Sequence, residues 1–68
     1  MTVGKIVDLI GTSTLGWDDA AHNAVKDASK TIDHITGIEV ISNTANVKED
    51  KLTEYKAHVR IVFDVVDR

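Results

Sequence analysis

EYKAHVRIVFDV, residues 54–65, alternates almost without interruption. Tyr55, Ala57, Val59, Ile61, Phe63 and Val65 make one set. Glu54, Lys56, His58, Arg60 and Asp64 make the other, with Val62 its one apolar member. Successive side chains of a strand point to opposite faces. The run therefore reads as a strand with an apolar face and a charged face, and so clean an alternation suits the centre of a sheet.

Working outward, KEDK (residues 48–51) is polar and reads as a hairpin turn into that strand. GIEVISNTANVKED before it reads as another strand, strongest from Ile38 to Asn43. Gly37 is expected to end a helix or open this strand. The helix is predicted over WDDAAHNAVKDASKTIDHI, residues 17–35. Trp17, Ala21, Ala24, Val25, Ala28, Ile32 and Ile35 recur at spacings of three and four, while Asp19, His22, Lys26, Lys30 and Asp33 occupy the other side. Asp18 and Asp19 complement the helix dipole in the first turn. GTSTLG (residues 11–16) is loop chemistry, and VGKIVDLIG (residues 3–11) is a first strand. Val3, Lys5, Val7 and Leu9 point one way on it; Ile6, Asp8 and Ile10 point the other.

The order is β-α-β-β, an α+β fold. A right-handed crossover makes the outer strands parallel. If the last strand inserts between them, the sheet is antiparallel throughout in the order 1-3-2, wrapped on one helix. Its charged row then covers the far side, beside Ile6 and Ile10.

At 68 residues the chain is expected to be a single domain, residues 1–68. So small a core is marginal alone, and the absence of cysteine removes disulfides and thiolate metal sites. Oligomerisation is the leading remaining source of stability, with a non-thiolate metal second. It also explains why both faces of the first strand carry apolar residues: a sister chain supplies the second cover. A net charge of −3 argues against nucleic-acid partners. No apolar run approaches the roughly 20 residues of a membrane span. Lys5 and Asp8 interrupt the start of the chain, which does not read as a signal peptide, so a cytoplasmic location is expected.

No phosphate loop, dinucleotide fingerprint or zinc-protease motif is present, and no acid–base pair can be named, so no catalytic residue and no enzyme activity are expected. Ser13 and Thr14 read as local hydrogen bonders. The metal site is left unknown. Asp18 and His22, four apart on one helix face, read first as a surface pair and second as ligands of a metal in an assembly. Asn46, Glu49 and Asp50 offer oxygens near a turn, but calcium takes six to eight of them. Trp17 is expected to anchor the helix start. Buried Lys56 or Arg60 would require carboxylates, with Asp8, Glu39, Glu54 and Asp64 as candidates.

KIVDLIGTS, the Trp17-Asp-Asp-Ala-Ala segment, DHITGIEV and EYKAHVRIVFDV together resemble the dodecins over nearly the whole chain. The resemblance implies a hollow homododecamer that binds or stores a small molecule. Many dodecins bind flavins such as FMN or riboflavin. They use an aromatic residue at the start of the second strand and a glutamine on the third. By alignment these positions are Gly37 and Lys56, with Thr36, His58 and Arg60 as further lining. Glycine offers no stacking surface, and stacking is worth about 1–3 kcal/mol per ring. Lysine donates hydrogen bonds but accepts none. The usual flavin site is therefore expected to be lost. The sequence is closer to the subgroup without the stacking tryptophan, some members of which are associated with calcium, and shares its Trp17 at the helix start. An anionic ligand such as a phosphate or a nucleotide, gathered by Lys56, His58 and Arg60 from several subunits, is another expectation. The alternatives are an atypical flavin pocket and a shell with no specific ligand.

Overall fold

The computed structural model describes residues 2–66; the expected domain bounds, 1 and 68, lie outside them. The elements are β1 (Thr2–Ser13), α1 (Trp17–Ala28), β2 (Ile35–Lys48) and β3 (Lys51–Val66). They form one sheet ordered β1-β3-β2, with both outer strands antiparallel to β3. The expected α+β topology is observed.

The apolar set of β3 meets α1. Ala57, Val59 and Ile61 are buried against Ala20, Ala24 and Ala28, and Val7, Leu9, Ala21, Val25, Ile32, Ile35 and Phe63 complete the core. Val59 and Ile61 are its largest fully enclosed side chains, each worth about 1.5–3 kcal/mol of burial. Alanine on the helix lets the backbones approach closely. At Gly11 the approach is so tight that a Cβ would collide with the Ala20 carbonyl and lie 2.9 Å from the Ala24 Cβ.

Three boundaries differ from the sequence reading. First, α1 ends at Ala28 and does not reach residue 35. Lys30 and Thr31 donate to the carbonyls of Asp27 and Ala28, tightening the last turn. His34 then takes a φ of 62° and turns the chain into β2. Ile32 and Ile35 still reach the core, from the connecting loop and from β2, so the apolar periodicity outlasts the helix. Second, Gly37 neither caps the helix nor opens β2. It lies inside β2, at a register shift, with Ile35 already paired to Phe63. Third, Gly11, Thr12 and Ser13 extend β1 and pair with Ala57, Lys56 and Tyr55. Residues 48–51 do form the hairpin, with Glu49 and Asp50 at φ of 54° and 65°.

The helix is short against the sheet. At 1.5 Å per residue α1 spans about 18 Å, whereas the molecule is 54 Å long. The radius of gyration, 14.0 Å, exceeds the roughly 11 Å of a compact chain this size. The β2–β3 hairpin projects past α1, leaving Val47 and Leu52 exposed. Ile38 and Val40, across from Ile61 and Val59 on β2, are exposed as well.

Candidate functional site

The sheet face away from α1 is organised in cross-strand rows. Directly paired residues share a face, so the register gives Ile6–Val62–Gly37, Asp8–Arg60–Glu39, Ile10–His58–Ser42 and Thr12–Lys56–Thr44. Glu54 and Asn46 follow toward the hairpin. Ile6 and Ile10 are 60% and 67% exposed beside these charges, the mixed apolar and charged surface expected from the sequence.

The second row is an ion-pair network. Arg60 Nε donates to Asp8 Oδ1 at 3.0 Å and its Nη2 to Asp8 Oδ2 at 3.3 Å. Its Nη1 lies 3.6 Å from Glu39 Oε1. His58 Nε2 is 3.2 Å from Asp8 Oδ2. The Arg60 guanidinium, with a smaller contribution from His58, holds the Asp8 carboxyl below its usual 3.8 against a partial desolvation that pushes it up. The Asp8 carboxylate in turn raises Arg60. Two of the four carboxylates named as candidates, Asp8 and Glu39, are therefore the partners of Arg60.

This changes the reading of the Lys56, His58 and Arg60 row. Arg60 and His58 are already engaged by Asp8, so they do not form a free cationic surface. Lys56 is half-buried and makes no ion pair among the described residues.

Gly37 and Lys56 lie on the same face but far apart. A strand rises about 3.3 Å per residue, so Lys56 and Val62, the neighbour of Gly37, are separated by about 20 Å. One tricyclic ring cannot touch both within a protomer. A Cβ built at Gly37 meets nothing within 4 Å, so the position is open and offers no stacking wall. Thr36 donates through Oγ1 to the Val62 carbonyl at 3.4 Å, which fixes the register shift beside Gly37.

On the opposite side Trp17 anchors the helix start, as expected. Its Nε1 donates to the Thr44 carbonyl at 2.8 Å, and Tyr55 stands edge-on to it with ring centroids 5.0 Å apart. Ser13 Oγ donates to Asp19 at 2.7 Å and accepts from the Leu15 N–H, the local role assigned to it. Asp19 is thereby half-buried rather than on the outer helix face. Asp18 and His22 form no ion pair among the described residues; the helix-surface pair is Asp27–Lys30. Asn46 donates to Glu54 at 3.3 Å. Among the described residues no three acidic, histidine or cysteine side chains converge on a point where one metal ion could sit.

Sequence reasoning missed Asn23, whose Nδ2 donates to the Thr12 carbonyl at 3.0 Å. It also missed the clamp on Thr44. Nothing in the local pattern marks either, because both partners are backbone carbonyls distant in sequence.

A short helix laid on one side of a long three-stranded sheet, with the other side open and mixed in character, defines a small βαββ protein that covers only one face of its sheet. Residues 3–66 match the dodecin family, and the chain belongs to it. It is 33% identical over 63 residues to the "Calcium dodecin" of Mycobacterium tuberculosis, an alignment covering 93% of this chain and 89% of that one. A protein from Thermus thermophilus superposes with a TM-score of 0.94 at 29% identity, covering both chains fully. A point mutant of the T. thermophilus dodecin gives 0.93 at 30% identity, covering 98% of this chain and all of the other. The dodecin of Streptomyces davaonensis shares the fold, with a TM-score of 0.92 at 21% identity over 97% of each chain.

Proposed function

We propose that this chain is a non-enzymatic binding or storage protein for a small molecule or ion, folded as one domain and assembled from its own copies as a hollow dodecin-type homododecamer in the cytoplasm. The exposed surface carries this reading. A compact 7.4 kDa protein presents about 4,200 Å², whereas this protomer presents 5022 Å². The excess is about the area one partner buries in a stable interface. Ile6, Ile10 and the projecting hairpin supply apolar surface that sister chains would cover. No helix among the described residues is long and apolar enough to cross a membrane, which accords with the proposed location.

Flavin is the less favoured ligand, because Gly37 provides no ring and Lys56 cannot accept the hydrogen bond that a glutamine would. Calcium is the ion suggested by the M. tuberculosis relative. Since no ligand set converges within the described residues of one protomer, a calcium site would draw oxygens from several chains.

Light scattering on the full chain, with and without calcium, tests the assembly. A particle of about twelve chains is expected; a stable monomer or dimer would overturn the shell. Calorimetry then separates the ligands, with heat from calcium and none from riboflavin expected.

A further inference from the structure

We propose that the Thr12–Lys56–Thr44 row is a binding site for a tetrahedral oxyanion, inorganic phosphate or the phosphate of a monoester. This deepens the binding reading above, since it makes the sheet face away from α1 the ligand face. Arg60 is bidentate on Asp8 and also reaches Glu39, and His58 contacts Asp8. Lys56 is the cation on this face left without an ion pair among the described residues. It is half-buried, so its stem lies on the sheet and its ammonium stays near the surface.

The register then supplies neighbours of the right chemistry. Thr12 and Thr44 flank Lys56 on the two outer strands. Directly opposed Cβ atoms are about 4.5–5.5 Å apart, so both threonines flank the lysine stem on the same face. Together they offer three ammonium donors and one donor from each threonine, the complement of an oxyanion, which only accepts once ionised. One carboxylate, Glu54, neighbours the row along β3, and Asn46 Nδ2 donates to it.

The row is also held from behind. Asn23 and Trp17, both on α1, bond the carbonyls of Thr12 and Thr44 at 3.0 and 2.8 Å. Tyr55, next to Lys56, packs edge-on against Trp17. The helix thus fixes the backbone of both flanking strands, which lowers the ordering cost of binding. It also places the single tryptophan directly behind the row.

The test titrates the full-length assembled protein, in low-salt buffer without phosphate, with inorganic phosphate and separately with glycerol 3-phosphate. Heat and Trp17 fluorescence are recorded together. Saturable binding is expected, at least ten-fold weaker in Lys56→Met, retained in Lys56→Arg and unchanged in Lys51→Met at the hairpin. The paired Thr12→Val and Thr44→Val variant, which keeps the lysine, is expected to weaken binding several-fold. Binding of the ester alone would place the phosphate as one end of a larger ligand; binding of both would identify free phosphate as sufficient. No saturable binding of either, or equal binding by the Lys56→Met protein, would overturn the proposal. If the chains assemble but take up neither compound, the oxyanion site falls and the shell stands. If a lone protomer binds phosphate, the shell falls and the site stands.

Discussion

Gly11 sets the distance between helix and sheet. Its neighbours on α1 include a backbone carbonyl, which cannot rotate aside as a flexible side chain could. Gly11→Ala is therefore expected to destabilise the fold by at least about 1–3 kcal/mol, the usual cost of overpacking a tight core. Urea midpoints at fixed protein concentration would show it. Gly37 is the opposite case, because a side chain there meets open space. Gly37→Trp should change stability by no more than about 0.5 kcal/mol, and with Lys56→Gln it should create riboflavin binding, read by flavin fluorescence quenching. A large loss of stability in that variant would show that the position is covered. At Asp8 the sign follows from a lowered pKa. Its contribution is complete above the ordinary 3.8 and is lost as pH falls through the depressed value. The urea midpoint should therefore drop in strong acid, and Asp8→Asn should flatten that acid limb while lowering the midpoint near pH 7. An unchanged acid limb would sever the network from stability.

At the scale of elements, the β2–β3 hairpin turns on two non-glycine residues with positive φ. Two-residue loops of this kind favour Asn-Gly because each left-handed residue with a Cβ is strained. Replacing Glu49→Asn together with Asp50→Gly should stabilise the protein by about 1 kcal/mol, visible as a higher thermal midpoint. The other end of the hairpin is tied to α1 by one indole. Trp17→Phe keeps a ring against Tyr55 but loses the bond to Thr44, a cost of about 0.5–1.5 kcal/mol. Amide exchange at residues 43–46 should quicken in this variant. The strands were legible because an alternating pattern is local: Tyr55 to Val65 declares its two faces with no knowledge of what covers them. The helix end was not legible. Ile32 and Ile35 continue the three-and-four spacing by reaching the same core from outside the helix, and apolar periodicity records burial rather than hydrogen bonding.

At the scale of the molecule, a helix spanning about 18 Å on a protein 54 Å long cannot cover its sheet. The open rows and projecting hairpin follow directly from that mismatch. If sister chains provide the cover, the thermal midpoint should rise with protein concentration, and Ile10→Asp should lower the particle mass seen by light scattering. A midpoint independent of concentration together with an unaltered mass would remove Ile10 from any interface.

Order of strands, the single helix and the two-faced character of β1 and β3 followed from the chain alone, since each rests on local periodicity and on the short menu of βαββ connections. The pairing of Arg60 with Asp8 rather than Asp64, the lack of an ion pair at Lys56 among the described residues, the clamps on Thr12 and Thr44, and the tight seat of Gly11 depended on folding. These contacts join residues far apart along the chain, and one step of register would replace every one of them. Residue types announce which groups need partners; the register of the folded sheet determines which partners they meet.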